Sequence, residues 1–234
     1  MTLILALLRE DHIIFASDSR HVRGNPDGRY RNDDAWKVQP ILNNTAMLGF
    51  SGDDHGEYIV SSLKRGGRLE SGSLSIIVDA IREEAEKIFK KAIRSGNGPN
   101  LQFLLAGFEE SMTVKVAHTF TLGGHYLNAL PRSYDSNPKC DNFEIIGTQP
   151  HGALYVFRKC ARDVRDLDSE LRLACFALTE VAKYEIRVGG HPQIYIIRPD
   201  QQVEDRSSSL QSYISWSEEA GEKIRQLILS PSQP

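Results

Sequence analysis

Two short apolar runs at the start of the chain constrain the fold more than any other feature of the sequence. Residues 3–8 are all apolar and residues 13–16 form a second apolar run, with the charged residues Arg9, Glu10 and Asp11 between them. Apolar runs of this length on either side of a short charged segment are typical of a β-hairpin. The sequence therefore predicts a hairpin that begins beside a hydroxyl residue.

That hydroxyl residue is Thr2, whose small side chain permits methionine aminopeptidase to remove Met1. One residue would then carry both a hydroxyl nucleophile and a free α-amine that can act as its base. An α-amine titrates at about pH 8, so an appreciable fraction is unprotonated at neutral pH. A threonine in second place is also common by chance, so Thr2 alone does not establish catalysis.

Three further features follow Thr2 in an informative order. Asp18 comes after the second apolar run, Lys37 begins another apolar segment, and a third apolar run ends in Gly-Phe-Ser-Gly at 49–52. In this set the sequence resembles the proteasome β-subunit family, and especially the simple bacterial proteasome-like threonine peptidases that begin with Met-Thr. The resemblance is clear over residues 1–65 and weaker afterwards.

The resemblance implies catalytic roles for these residues. Thr2 Oγ would attack a carbonyl carbon, with its own α-amine as the base, and form an acyl-enzyme ester. Lys37, held by Asp18, would keep the amine unprotonated through charge repulsion. Backbone N–H groups at Ser51 and Gly52 would stabilise the oxyanion. Taken singly, Asp18 is equally explained as a turn residue and Lys37 as a surface residue of an edge strand.

The same resemblance implies three supporting residues. Arg20 would brace the turn after Asp18, and Thr148 would place a hydroxyl beside the amine of the nucleophile. The family typically has an Asp and a Ser just before a Gly-Gly pair. Here Glu185 can replace the Asp by type, but Val188 has no hydroxyl and departs from the family pattern.

The fold class implied by the resemblance is α+β, a four-layer αββα sandwich of two antiparallel sheets. The order of predicted strand pairs and helices along the chain agrees with such a sandwich. Helices are predicted at about 53–64, 74–92 and 215–229, over a segment that includes 153–160, and from 168 to the Gly-Gly pair at 189–190. Strands are predicted at 38–42, 45–50, 101–108, 112–119, 143–150 and 193–197. The alternating pattern of 112–119 suggests an edge strand, and residues 123–142 are expected to be irregular. We expect one proteasome-like domain over residues 1–229 and a disordered tail at 230–234.

Charge and composition exclude several classes of function. With 28 basic and 31 acidic residues, the net charge of −3 offers no bulk attraction for nucleic acid or anionic lipid. The N-terminus has no basic region, and Arg9, Glu10 and Asp11 end its apolar run too early for a signal peptide. No apolar run is long enough to span a membrane. We therefore expect a cytoplasmic protein with neither nucleic-acid nor membrane partners.

Cysteine and histidine spacing predicts neither a disulfide framework nor a metal site. The three cysteines, Cys140, Cys160 and Cys175, are odd in number and lack a Cys-x-x-Cys pair. We expect reduced, mostly buried thiols. His118 and His125 have no partners at metal-ligand spacing, and no metal or organic cofactor is expected.

Three functions compete at this point. The first is an N-terminal threonine peptidase acting on peptides or unfolded chains inside a homo-oligomeric ring, with a possible ATPase unfoldase as partner. The second is an amidase or peptide transferase with the same nucleophile, whose substrate groove the arginine-rich segment 20–34 would line. The third is a non-catalytic subunit of the same fold, which the Val188 departure would suit.

Overall fold

A computed structural model of the chain describes residues 2–23, 30–32, 36–52, 54–93, 100–111, 114–123, 128–137, 142–147, 151–164, 166–185 and 188–229. Its strands are β1 Leu3–Leu8, β2 Ile13–Ser17, β3 His21–Arg23, β4 Tyr30–Asn32, β5 Val38–Ile41, β6 Ala46–Gly52, β7 Leu101–Ser111, β8 Val114–Gly123, β9 Asn128–Ser133, β10 Phe143–Gly147, β11 Gln193–Ile197 and β12 Glu204–Asp205. Its helices are α1 His55–Arg65, α2 Leu74–Ile93, α3 His151–Cys160, α4 Leu167–Tyr184 and α5 Gln211–Leu229, with a 3-10 helix at Ser207–Ser209. The predicted disordered tail at 230–234 lies outside the described residues.

The strands form two five-stranded sheets and a separate ribbon. The first sheet has the order β10-β1-β2-β11-β12, the second has the order β5-β6-β7-β8-β9, and β3 pairs only with β4. All neighbouring strands are antiparallel. The predicted N-terminal hairpin is confirmed, with Ile4 opposite Ser17 and Leu8 opposite Ile13.

The side chains of β1 alternate between two cores, which explains why the whole strand is apolar. Ile4, Ala6 and Leu8 pack between the two sheets, together with Met47 of β6 and Leu104 of β7. The other side chains of β1 pack against α3, α4 and α5. Helices α1 and α2 cover the outer face of the second sheet. The predicted αββα sandwich is confirmed.

The two sheets approach each other closely at Gly49 in β6. A Cβ atom at this position would lie 2.8 Å from Ile4 Cδ1 and 3.2 Å from Phe15 Cζ. Gly49 therefore brings the end of β6 against the beginning of β1. This contact aligns the two sheets at the end of the sandwich where Thr2 lies.

The tip of the N-terminal hairpin is fixed to the helical layer by a buried carboxylate. Glu170 in α4 is fully buried and forms an ion pair with Arg9. Its other oxygen lies 2.6 Å from His12 Nε2. Arg9 also donates to the backbone carbonyl of Ala161, at 2.9 Å. The charged segment between the two apolar runs is thus an anchor for β1 and β2.

Two strand predictions at the far side of the second sheet are wrong. Strand β8 is not an edge strand, because β9 pairs along it, with Gly123 opposite Asn128 and His118 opposite Ser133. Residues 123–142, expected to be irregular, therefore contain a strand. The alternating pattern did not report burial either, because Val114 is 61% exposed whereas Ala117 and Thr119, on the other face of β8, are fully buried.

The two described cysteines differ in their exposure to solvent. Cys175 in α4 is buried, as expected, but Cys160 at the end of α3 is exposed. Cys140 lies outside the described residues. Within the described ranges, no helix is both long enough and apolar enough to cross a lipid bilayer.

Candidate active site

Thr2 lies just before β1, at the end of the sandwich where β1 and β5 begin and where β2, β6 and β10 end. We call this the nucleophile end. The residue is only 5% exposed. The next residue, Leu3, pairs with Gly147 of β10, and Ile4 pairs with Ser17 of β2. Two neighbouring strands therefore fix the position of Thr2.

Asp18 connects the start of β1 with the start of β5. Its Oδ1 accepts a hydrogen bond from the Leu3 N–H at 2.8 Å, and its Oδ2 accepts one from Lys37 Nζ at 2.8 Å. Oδ2 also accepts the N–H of Gly189 at 3.1 Å and that of Arg20 at 3.3 Å. One carboxyl group thus organises three segments that are far apart in the sequence.

The environment of Asp18 acts on its acidity in two opposing ways. Burial raises the pKa of the Asp18 carboxyl, whereas the Lys37 ammonium and the N–H groups of Leu3 and Gly189 act to lower that pKa. Burial is the larger effect. The ion pair with Lys37 and the backbone donors are what favour the carboxylate form in this site.

Lys37 is a buried cation immediately before β5. It is 4% exposed, and its backbone carbonyl accepts a hydrogen bond from the Phe50 N–H at 3.1 Å. The following residue, Val38, pairs with Gly49 of β6. The interpretation of Lys37 as a surface residue is therefore wrong. A buried ammonium ion beside the N-terminal strand can depress the pKa of another amine nearby.

The predicted oxyanion residues, Ser51 and Gly52, end β6. Ser51 is 4% exposed and pairs with Gln102 of β7. Gly52 has a φ of +123°, and a Cβ there would lie 1.8 Å from the carbonyl oxygen of Asn100. Only glycine fits this backbone. Helix α1 follows at His55, so the segment leads to a helix N-terminus, where negative charge is favoured.

Arg20 contacts the glycine turn that follows α4. Its Nη1 donates to the carbonyl of Val188 at 3.0 Å, and a Cβ on Gly189 would lie 2.6 Å from the Arg20 Cζ. The N–H groups of Ser19 and Arg20 both donate to the carbonyl of Gly189, at 3.1 and 2.9 Å. Arg20 and the glycine turn thus contact each other and the same Asp18 oxygen that binds Lys37.

Glu185 and Val188, which stand where the family typically has an Asp and a Ser, differ in their surroundings. Val188 is fully buried in the core beneath the first sheet, so an apolar side chain suits this position. Glu185 is the C-terminal cap of α4, and its carbonyl accepts the Val188 N–H at 2.9 Å. The predicted residue Thr148 lies outside the described residues.

Sequence reasoning missed Gln102 and Gly147. The Gln102 Oε1 accepts the N–H of Gly147 at 2.7 Å and so joins the second sheet to the first at the nucleophile end. Gly147 has a φ of +113°, and a Cβ there would lie 1.7 Å from the carbonyl oxygen of Thr2. The available signal was a single polar residue, Gln102, between the apolar residues Leu101 and Phe103.

Around Asp18, the strand that follows Thr2 meets the buried ammonium of Lys37 and backbone N–H donors. In the described part of the chain, no group of three or more His, Cys, Asp or Glu side chains is arranged to hold a metal ion. A hydroxyl next to an amine and a buried cation can act as a nucleophile toward a carbonyl group. The arrangement is therefore suited to acyl transfer.

Comparison with known proteins finds the fold in solved structures only. No protein-family model matches the chain, and no curated protein matches it. Among the matching structures is "Anbu (ancestral beta-subunit) from Yersinia bercovieri", with a TM-score of 0.74 and 16% identity, covering 99% of each chain. The "Helical Assembly of the Anbu Complex from Pseudomonas aeruginosa" matches with a TM-score of 0.75 and 13% identity, covering 99% of this chain and 98% of that one.

A third structure, the Anbu (Gly-1) mutant from Hyphomicrobium sp. strain MC1, matches with a TM-score of 0.73 and 14% identity, covering 100% of this chain and 99% of that one. These findings correct the resemblance drawn from the sequence. The assignment to the proteasome β-subunit family, with simple bacterial threonine peptidases as the nearest type, is wrong, because the structures that match along the whole chain are Anbu proteins. At these identities the comparison establishes the fold: the chain has the proteasome-like αββα fold of the Anbu structures.

Proposed function

We propose that this chain is an N-terminal-nucleophile hydrolase that cleaves peptide bonds with Thr2, after removal of Met1. The observation that supports this proposal most directly is the position of Asp18. Its two oxygens contact the Leu3 N–H and Lys37 Nζ, each at 2.8 Å. A buried cation is thereby tied to the residue that follows the proposed nucleophile.

In the proposed reaction, Thr2 Oγ adds to the carbonyl carbon of the substrate amide while the Thr2 α-amine accepts the hydroxyl proton. The ammonium of Lys37 favours the unprotonated amine, which is the form that can take this proton. The N–H groups at Ser51 and Gly52 stabilise the negative charge that develops on the carbonyl oxygen.

The tetrahedral intermediate then collapses. The carbon–nitrogen bond breaks, the amine product leaves with the proton held by the α-amine, and an ester remains on Thr2. Water, deprotonated by the same α-amine, attacks the ester and releases the acid product together with free Thr2. No cofactor takes part in any of these steps.

Thr2 labelling tests the proposed nucleophile. Intact mass spectrometry would first establish whether Met1 is removed from the purified protein. A peptide β-lactone would then be added, and the modified residue would be mapped by fragmentation. We expect one acyl group on Thr2, no adduct in Thr2→Ala, and labelling of Lys37→Met slowed by about a hundredfold or more. Retention of Met1, or an adduct on another residue, would contradict the proposal.

Peptide cleavage and peptide joining use the same nucleophile, so they need a separate assay. A peptide library incubated with wild type and with Thr2→Ala would be analysed for both shorter and longer products. The hydrolase proposal predicts shorter products only, and only with wild type. Longer products would indicate a transferase, and the absence of both would indicate a non-catalytic subunit.

We also propose that the chain assembles with copies of itself. The support is the printed description of the Pseudomonas aeruginosa Anbu structure as a helical assembly. A repeated head-to-tail contact gives a ring when its rotation closes and an open helix when it does not. Electron microscopy of the purified protein would distinguish these forms. An ATPase unfoldase partner and the predicted closed ring both remain predictions.

A further inference from the structure

Gln102 is a polar residue on the face of β7 that lies between the two sheets. The flanking residues Leu101 and Phe103 belong to the core under α1 and α2, whereas Leu104 and Ala106 belong to the core between the sheets. Alternation along the strand therefore gives Gln102 the same face as Leu104 and Ala106. It is the residue of that face closest to the nucleophile end.

The hydrogen bond made by Gln102 crosses from one sheet to the other. Its Oε1 accepts the N–H of Gly147 at 2.7 Å, and Gly147 is the last residue of β10. An N–H group in a half-buried position is left without a hydrogen-bond partner when its acceptor is removed without replacement, which is unfavourable. The carboxamide of Gln102 is thus a specific acceptor for the end of β10.

Each end of this hydrogen bond lies next to one half of the proposed catalytic site. Gln102 pairs with Ser51, one of the two proposed oxyanion residues. Gly147 pairs with Leu3, and its Cα lies so close to Thr2 that a Cβ would be 1.7 Å from the Thr2 carbonyl oxygen. The proposed oxyanion strand β6 and the nucleophile strand β1 belong to different sheets, and the Gln102–Gly147 bond joins their respective neighbours, β7 and β10.

We propose that Gln102 is a positioning residue that fixes the separation between Thr2 and the oxyanion donors at Ser51 and Gly52. This inference rests on the proposed function. Oxyanion stabilisation depends on donors held at hydrogen-bond distance from the reacting oxygen, and a misplacement of about 1 Å slows a reaction by up to about a hundredfold. Loss of the Gln102 acceptor therefore lowers the rate of acylation and leaves substrate binding unchanged.

The test compares Gln102→Met with Gln102→Glu. Methionine has nearly the shape of glutamine but provides no strong acceptor, whereas glutamate keeps an acceptor oxygen at the same reach. Gln201→Met, on an exposed turn beyond the far end of β11, is the matched control. The rate of Thr2 acylation by a peptide β-lactone is measured by intact mass over a range of probe concentrations. This separates the maximal rate from the half-saturating concentration.

We expect Gln102→Met to lower the maximal acylation rate by about tenfold with an unchanged half-saturating concentration. Gln102→Glu should recover most of the rate, and Gln201→Met should match wild type. Should Gln102→Met fail to fold, Gln102→Asn replaces it, because its shorter side chain cannot reach Gly147, and the same tenfold loss is expected.

Two outcomes overturn the inference while leaving the proposed function intact. One is wild-type acylation by Gln102→Met, and the other is an equal loss in the Met and Glu variants, which would indicate packing alone. A wild-type protein that is never acylated at Thr2 overturns both proposals. The two failures are therefore distinguishable.

Discussion

Lys37 Nζ lies 2.8 Å from Asp18 Oδ2, and the two side chains are only 5% and 2% exposed. Burying two charges removes their hydration, and their attraction offsets that loss only while both are present. The same ion pair that supports the proposed chemistry is thus also a determinant of stability. Its energetic coupling can be measured independently of any catalytic activity.

We predict that Asp18→Asn destabilises the protein by about 3–5 kcal/mol, because Lys37 is left as a buried charge without its counter-ion. Lys37→Met should also destabilise it. The double variant should be more stable than the sum of the two single effects predicts, by about 1–3 kcal/mol. Urea denaturation of the four proteins gives this coupling energy directly.

The matched control for this cycle is the exposed pair formed by Lys90 and Glu86 in α2, whose side chains are 76% and 68% exposed. Solvent screens such a pair, so the variants Lys90→Met and Glu86→Gln should show almost no coupling. Equal coupling in the two cycles would contradict the view that burial gives the Asp18–Lys37 pair its strength.

The two described cysteines should differ strongly in reactivity toward iodoacetamide. Burial raises the pKa of the Cys175 thiol to about 12, so only about one thiol in ten thousand is ionised at pH 8. Cys160 is exposed, although burial of its sulfur and the charge of Asp163 raise its pKa as well. In a Cys140→Ser protein, mass spectrometry should find Cys160 labelled and Cys175 unlabelled until denaturant is added. Simultaneous labelling would disprove the buried position of Cys175.

The elements that were predicted correctly are those whose apolar pattern directly reports burial. Both strands of the N-terminal hairpin are apolar throughout because they pack on two sides, and α2 shows a clear helical period for its single buried face. Strand β9 was missed because its sequence, Asn-Ala-Leu-Pro-Arg-Ser, has no alternating pattern and contains a proline. It forms because β8 offers an unpaired edge, which is a property of the sheet and not of β9 itself.

The candidate site likewise contains one contact that was predicted and one that was not. Contact between Asp18 and Lys37 was expected from the resemblance to the proteasome β-subunit family, and the structure contains it. The Gln102–Gly147 hydrogen bond could not be expected, because it joins different sheets across a long stretch of sequence. The catalytic roles of Thr2, Asp18 and Lys37 remain predictions.

The anchor at the hairpin tip should make stability depend on pH. Hydrogen bonds and charges from Glu170 and Asp11 raise the pKa of His12 against the opposing effect of burial. Arg9, which also contacts Glu170, and Arg198, whose charge acts on Asp11, face the same cluster. A raised pKa means that the folded state binds the proton more tightly than the unfolded state. The stabilisation is therefore complete below the ordinary pKa of 6.5 and is lost as the pH rises through the higher folded value.

The measurement compares the free energy of unfolding of wild type and His12→Gln across this pH range. The difference between them should be largest below pH 6.5 and should shrink as the pH is raised. His191→Gln, at an exposed position, controls for replacing a histidine as such. A difference that grows with pH would show that the neutral imidazole is the stabilising form.

Gly147 should tolerate no side chain, because both its backbone conformation and the closeness of Thr2 exclude one. Its φ is +113°, and an added Cβ would lie 1.7 Å from the Thr2 carbonyl oxygen, a backbone atom that cannot move aside. Gly67, at the end of α1, has a φ of +67° and no atom within 4 Å of such a Cβ. We predict that Gly67→Ala costs about 1–2 kcal/mol, the usual penalty for the left-handed region, and that Gly147→Ala costs more than about 3 kcal/mol. Thermal unfolding of the two variants measures the difference, and similar losses in both would mean that the end of β10 does not press against Thr2.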